Sequence, residues 1–483
     1  MSFNPAELEA ALSRARVAQS AWGKLPVSER LKPIARLRAR LADDPVALAE
    51  VVAAEIGKSR FEAIGSEILP TAEACAFLMD RAEAVLAPRR EAIRGTMPFA
   101  GHAVIRHVPF GVVALIVPWN YPLFLCASSA LSALVAGNAV VMKASPRARK
   151  TIEAFGQWLW DSGIPKDLAP VLDSSDEAGR ALVASPLIDK IVFTGSSKTG
   201  RAVLQAAAQN LTPATLELSG FDAVYVLSDA DVDLAAAAVA FGLRINSGRT
   251  CICPRRAFVE EKVAAGFSEK LKARLSGQSL MFPMDPQTLR EADELATRLE
   301  STPGFKPIVS RAKGDATCPV VVSGGGETLA AAQGNFVPAL VVAPVSDVEH
   351  AFKLSGASDY ALGASIFTRD EKRAQEIALR AGSGLVAINE CVAPGGEAAL
   401  PFGGTGESGY GVRGGVEGLL DMTRPQSMAF ARGKFRPHHV AGEEAEPLVK
   451  AWLRARHAGS VFGRMKGWMD YMVEGVRWRP NRK

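Results

Sequence analysis

The sequence predicts an α/β protein built around parallel sheets. Three observations point there. From Gly111 onward, short apolar runs alternate with helix-length segments. Strands are expected at Gly111–Val117, Ala139–Lys143, Ala169–Leu172 and Lys190–Phe193, and helices at Leu123–Leu134, Arg149–Ser162, Asp176–Ala184 and Thr199–Ala208. Strands separated by helices of this length form βαβ units and a parallel sheet. Next, Gly111 to Met142 carries no charge, as elements covered on both faces do. Last, the 483 residues are 48% hydrophobic and 22% charged. That is ordinary globular composition, and it excludes a disordered, collagenous or disulfide-framework chain.

Taken in order, residues 5–90 are rich in Ala, Leu and Arg and read as helices, with a break at Pro26 and a cap-like Ser28. Residues 91–110 hold Gly95, Pro98, Gly101 and Pro109 between short apolar stretches, so strands and turns are expected. The uncharged stretch is long enough to cross a bilayer from Leu123 to Met142. Pro118, Asn120 and Pro122 interrupt its front and Gly137-Asn138 its back, which favours a buried strand, turn and helix. A second α/β region runs from about 220 to 400. At roughly 150 residues per domain, the length suggests about three domains, or two large ones with an appendage.

Six scattered cysteines, with Cys251 and Cys253 the one close pair, fit neither a disulfide framework nor a zinc site. A reducing, cytoplasmic setting is expected. The net charge of +5 is unevenly placed: from Ala431 to Lys483 there are 12 Lys and Arg against 5 Asp and Glu. In that tail Val461, Phe462, Met465, Trp468, Met469, Met472, Val473 and Val476 form one helical stripe. Such a segment can pack as a helix pair on the body or a second subunit, or lie through 448–483 on an anionic membrane surface. No nucleic-acid module accompanies the charge, so nucleic acid is not an expected partner.

Four places carry chemistry. Thr194-Gly195-Ser196 sits at a strand-to-helix junction, where backbone N–H groups favour an anion such as a pyrophosphate. Asn120, between Trp119 and Tyr121, follows the first strand of the sheet, at the end where open α/β sheets bind ligands. Glu217 ends an apolar strand, and a carboxylate there is costly unless paired or functional. Cys251 follows Gly248-Arg249-Thr250. A lone cysteine is usually a core residue, but the three appear in one order along one chain.

Those residues belong to longer matches. Pro118-Trp119-Asn120-Tyr121-Pro122-Leu123, Gly137-Asn138-Ala139-Val140-Val141-Met142-Lys143, Phe193-Thr194-Gly195-Ser196, Leu216-Glu217-Leu218, Tyr360-Ala361-Leu362-Gly363-Ala364 and Pro401-Phe402-Gly403-Gly404 resemble the aldehyde dehydrogenase superfamily up to about residue 430. The resemblance implies an aldehyde-dehydrogenase-like α/β fold: a Rossmann-type cofactor domain (1–86 and 108–218), bridging strands (87–107), a catalytic domain (219–400), a return segment (401–430) and a basic extension (431–483). It implies Cys251 as nucleophile, Asn120 as oxyanion donor and Glu217 as the base that activates water. Pro118, Trp119, Lys143, Ser145, Pro146, Thr194, Gly195, Ser196 and Leu218 would hold NAD or NADP. A small-molecule aldehyde substrate and a homodimer or homotetramer are implied as well.

The chain also departs from the family pattern. Lys143-Ala144-Ser145-Pro146 replaces Lys-Pro-Ser-Glu, which removes the carboxylate that disfavours a 2′-phosphate, so NADP should be tolerated or preferred. The Glu-x-Phe-Gly-Pro segment that holds the nicotinamide ribose is absent between Ala339 and Asp359. Arg249 stands where Gln is usual, and is expected to bond locally or to meet an acidic substrate or a cofactor phosphate. Small residues Ala127, Ser128, Ser129 and Ala130 after Asn120 suggest a wide tunnel for a hydrophobic, long-chain or isoprenoid aldehyde. The rival reading is a degenerate, weakly active or inactive member that serves as a membrane- or partner-binding subunit.

Overall fold

The computed structural model describes residues 3–93, 101–276, 280–430 and 443–477. Residues 94–100 of the expected bridging strands, and 431–442 and 478–483 of the extension, lie outside them. The chain forms two compact units, Met1–Leu86 with Val108–Arg424, and Ala87–His107 with Pro425–Lys483.

The first unit holds two large sheets. One has five strands in the order Gly409–Tyr410, Ala214–Glu217, Lys190–Thr194, Val112–Val117 and Ala139–Ala144. All its pairings are parallel except that of Gly409–Tyr410 with Ala214–Glu217. Because Val112–Val117 lies between its successor in sequence and Lys190–Thr194, the strand order reverses there. Crevices at such reversals bind ligands at the strands' carboxyl ends, and Pro118-Trp119-Asn120 emerges at this one. The expected strand at 169–172 is a single bridge, Met142 to Val171. Pro170 lacks an N–H and so cannot continue a ladder.

Helix Pro122–Ala136 starts with proline at its first position and ends on Gly137 at φ 101, and all 15 of its residues are buried. This accounts for the uncharged stretch: it is a core helix between the sheet and the N-terminal helices. The Trp22 indole donates to Leu134 O at 2.8 Å. Among the described residues, no helix is long and apolar enough to cross a membrane.

The other sheet has seven strands, in the order Leu385–Ile388, Gly363–Phe367, Asp222–Val226, Pro254–Glu260, Ala339–Val345, Val320–Ser323 and Lys306–Pro307. The stretch that lacks Glu-x-Phe-Gly-Pro is filled by strand Ala339–Val345 and helix Val348–Ser355.

The second unit holds a three-stranded sheet, Arg89–Ile93, Gly101–Pro109 and Thr423–Phe430, and a helical hairpin, Glu446–His457 and Val461–Arg477. Gly467 lets the hairpin's helices approach, since a Cβ there would lie 2.2 Å from Ala455 N. Leu448, Ala451 and Tyr471 fill the seam. Of the apolar stripe, Trp468 packs edge-on against Trp452 and Tyr471 at the seam, whereas Phe462 is 77% and Val476 75% exposed.

Candidate active site

The segment before Cys251 is a turn built against local preference. Helix Val232–Arg244 ends, and Asn246, Ser247 and Gly248 take φ of 49°, 50° and 70°. Left-handed backbone costs a non-glycine residue about 1–2 kcal/mol, so the surroundings must hold it. They do so with buried side chains. The Glu62 carboxylate accepts from Asn246 N, and Ser247 Oγ donates to Phe282 O. The Arg255 guanidinium donates to Gly248 O at 2.8 Å, to Thr250 O at 3.4 Å and to Val337 O.

This turn meets the Asn120 loop. Asn120 Nδ2 donates to Arg249 O at 3.0 Å, and Asn246 Nδ2 donates to Asn120 O at 2.8 Å. Tyr121 Oη and Thr250 Oγ1 share a hydrogen bond of 2.7 Å. Beneath Tyr121, Lys58 Nζ lies 4.0 Å from the ring centroid and 2.6 Å from Glu67 Oε1, and Glu67 Oε2 accepts from Phe124 N at 3.0 Å. The loop of the oxyanion-donor candidate is thus bonded directly to the turn that precedes the nucleophile candidate, Asn120 to Arg249 across 129 residues of sequence.

Cys251 opens on a cavity of about 630 Å³ walled largely by apolar side chains, among them Leu69, Tyr121, Phe124, Leu125 and Phe402. Phe61, 85% exposed, stands at its lining with Leu69, Phe241 and Met281, all of them exposed. The small residues Ala127, Ser129 and Ala130 are not in this wall, and Ser128 lines a separate, minor pocket. They face the core because their helix is buried on every side; part of the wall comes from the segment Phe61–Glu73, which carries a π-helical turn at Ile64–Ile68. Such turns recur at functional sites. The charged lining is four glutamates, Glu62, Glu73, Glu390 and Glu397, against one cation, Arg413.

Glu217 is 3% exposed and does not line the cavity. Its Oε2 accepts from Arg413 Nε at 2.8 Å, while Oε1 is buried without a hydrogen bond among the described residues. Burial pushes its carboxyl up, against the pull of Arg413. Burial likewise pushes the Cys251 thiol up to about 12; Arg413 opposes the rise, and Asp222 and Glu217 add to it. Sequence reasoning missed Arg413, Glu62 and the Lys58–Glu67 pair. For Arg413 the one available signal was a cation inside a glycine-rich run.

The remaining candidates gather on the five-stranded sheet. Ser145 caps the short helix Pro146–Ala148, and its N–H donates to Val117 O at 3.0 Å. Thr194 pairs with Glu217, Gly195 N donates to Glu217 O at 3.0 Å, and Ser196 caps helix Ser197–Ala208. Leu218 packs where a side chain on Gly200 would stand. Lys143 is buried, and burial pushes its ammonium down, against the pull of Asp176, Asp173 and Glu177. Trp119 lies under Arg147, 3.6 Å from its centroid. Arg249 bonds locally, to Asn246 O, Ile56 O and Asp285. A buried ammonium and a helix start beside Ser196 suit a ribose and a pyrophosphate, so these residues fit a dinucleotide. No group of three or more His, Cys, Asp or Glu that could hold a metal occurs among the described residues.

Comparison with known proteins agrees with this geometry. A 4,4'-diapolycopene aldehyde oxidase from Methylomonas sp is 34% identical, with 97% of this chain and 87% of that protein covered. A putative succinate-semialdehyde dehydrogenase [NADP(+)] from Mycobacterium ulcerans (strain Agy99) is 32% identical over 88% of this chain and 85% of its own. The crystal structure of PnpE in complex with nicotinamide adenine dinucleotide superposes with a TM-score of 0.81 at 28% identity, covering 90% of this chain and 92% of that one. The profile of the aldehyde dehydrogenase family matches residues 2–428, and the chain belongs to that family.

Proposed function

We propose that the protein oxidises a bulky, apolar aldehyde, of long-chain or isoprenoid type, to the carboxylic acid with NAD or NADP. The observation that carries this reading is the apolar cavity leading to Cys251 with exposed Phe61 and Leu69 at its lining. Four lining glutamates against one arginine would repel an anionic semialdehyde. The likeness to a diapolycopene aldehyde oxidase adds support. With 97% of the chain covered, that match extends into the basic tail.

The chain's own residues perform the following work on this reading. The Cys251 thiolate attacks the carbonyl carbon, since the thiolate is the nucleophilic form. The Asn120 amide and the Cys251 backbone N–H hold the resulting oxyanion; losing one such donor in other acyl-transfer enzymes costs on the order of 10²–10³ in rate. Lys143, Ser145 and the helix start at Ser196 hold the dinucleotide, with Pro118, Trp119, Thr194, Gly195 and Leu218 around it. When bound, the nicotinamide supplies the hydride acceptor. Glu217 takes a proton from water, which releases the acid from the Cys251 thioester. Pro146 presents no carboxylate to a 2′-phosphate, so NADP is accepted.

The hairpin Glu446–Arg477 is assigned to an anionic membrane surface in the cytoplasm, where a lipophilic aldehyde would be met. Its exposed stripe and its Arg454, Arg456, Arg464 and Lys466 support this. A homodimer or homotetramer is the expected assembly. The test is NADH or NADPH formation with a long-chain aldehyde, acetaldehyde and succinate semialdehyde, beside Cys251→Ala. Turnover should favour the long chain and vanish in the variant. Equal rates on all three would overturn the substrate assignment, and an active variant the mechanism.

A further inference from the structure

Arg413 is built into the catalytic wall. Its backbone is pinned to Phe402 by two hydrogen bonds, of 2.7 and 2.8 Å. Its guanidinium lies 4.2 Å from the centroid of the Phe402 ring and 5.1 Å from that of Phe124. It is 5% exposed, lines the cavity beside Cys251, and holds Glu217, which lies outside that lining. Of its five N–H groups, Nε alone has a protein acceptor among the described residues. The Nη groups have no acceptor among the described residues, and the residue lines the cavity where Cys251 stands.

A buried cation needs an anion beside it, and removing the partner of a buried pair is strongly destabilising. In the resting site that anion is Glu217. Cys251 must nevertheless become a thiolate, in surroundings where burial opposes ionisation and Asp222 and Glu217 oppose it further.

We infer that Arg413 is a shared counter-ion, which pairs with the Glu217 carboxylate at rest and with the Cys251 thiolate once the thiol proton has passed to Glu217. The S–H bond breaks, an O–H bond forms on the carboxyl, no electrons leave or enter, and the carboxyl returns that proton to solvent before it takes one from water. One positive and one negative charge are present before and after, so the buried site never carries an uncompensated charge. Arg413 acts through Cys251 and Glu217, as a positioning residue for both. The inference rests on the nucleophilic role of Cys251 proposed above.

The other charged groups near the sulfur do not offer this service. Asp222 is a buried carboxyl that burial pushes well up, against a hydrogen bond from Gly363 N and the pull of Arg256 and Arg255, and Glu62 accepts from Asn246 N. Glu73, Glu390 and Glu397 are anions in the cavity wall, Tyr121 is hydrogen-bonded to Thr250, and Lys58 is committed to Glu67. Arg413 is the cation among the cavity-lining residues.

The test follows the pH dependence of Cys251 alkylation by iodoacetamide in the full-length protein, read by mass spectrometry of the Cys251 peptide. It needs no turnover. Arg413→Gln should raise the alkylation midpoint by about one pH unit or more, which is about tenfold less thiolate at a fixed pH below it. Arg413→Lys should recover part of that shift, because it keeps the charge. Glu217→Gln should move the midpoint the other way, since it removes a competing anion and leaves Arg413 to the sulfur. A wild-type midpoint in a folded Arg413→Gln would overturn the inference. Should that variant not fold, a Glu217→Gln midpoint that stays put or rises overturns it equally. If alkylation behaves as expected and no NAD(P)H forms, the dehydrogenase reading fails while the counter-ion assignment stands.

Discussion

Gly248→Ala tests whether the turn before Cys251 is the element that sets the nucleophile's position. Gly248 sits at φ +70, and a Cβ built there would lie 2.5 Å from Pro338 Cβ and 2.6 Å from Pro338 Cα. Pro338 cannot yield easily, because its carbonyl accepts from Val320 N at 2.9 Å and strand Ala339–Val345 follows directly. The left-handed conformation costs alanine about 1–2 kcal/mol, and overpacking against a fixed neighbour about 1–3 kcal/mol more. The total is about 2–5 kcal/mol. Gly304 is the control: its φ is +74 and nothing lies within 4 Å of its Cβ position, so Gly304→Ala should lose only the conformational part. Cys251 lies three residues beyond Gly248, and misplacing a reacting group by about 1 Å can cost on the order of 10² in rate. Urea denaturation and steady-state kinetics on both variants are the assay. Gly248→Ala should show the larger loss of stability and a kcat lowered about 10²-fold, while Gly304→Ala keeps its kcat. Equal stability losses together with an unchanged kcat in Gly248→Ala would refute the reasoning.

Three further outcomes are expected. Burial works against the Asp285 carboxylate, yet hydrogen bonds from Thr288 and the Arg147 guanidinium hold it down to about 2 from 3.8, worth about 1–2 kcal/mol after allowance for partial exposure. Asn retains the helix cap, so Asp285→Asn isolates the charge. A depressed carboxyl stabilises above its unfolded value and loses that stabilisation as pH falls through its folded one, so the gap to wild type should be full at pH 5 and close toward pH 2 in urea titrations. Leu125→Trp narrows the cavity wall and should lower kcat/KM for a long-chain aldehyde while sparing acetaldehyde; parallel losses would remove Leu125 from the substrate path. Phe462→Ser with Val476→Ser removes two exposed apolar side chains, each able to contribute about 1.5–3 kcal/mol on burial. Sedimentation with anionic vesicles should drop by about tenfold or more, whereas binding that does not change would exclude the stripe as a membrane contact.

Local pattern made much of this legible. Alternating apolar runs and helix-length segments announced the parallel sheet, and the position of Asn120 just past a strand announced the crevice, because both depend on residues a few places apart. The strand expected at 169–172 failed for a local reason too, since Pro170 interrupts its ladder. What the sequence hid was long-range pairing. Arg413 and Glu217 lie 196 residues apart, and Glu62 and Asn246 lie 184 apart. Neither pair leaves a periodic trace, since the fold alone makes them neighbours. The small residues 127–130 misled for the same reason. Small side chains mark either open space or close packing, and which of the two depends on what lies opposite.

Helix Pro122–Ala136 bears on how such a protein can change over time. With all 15 residues buried, nearly any replacement in it disturbs packing on some side, so the floor of the site is frozen. The exposed positions Phe61, Leu69 and Met281 answer to no such constraint and can vary at little cost to folding. New substrate preferences in descendants of this chain should therefore arise more readily at the exposed lining positions than in this helix, with the chemistry beneath inherited unaltered.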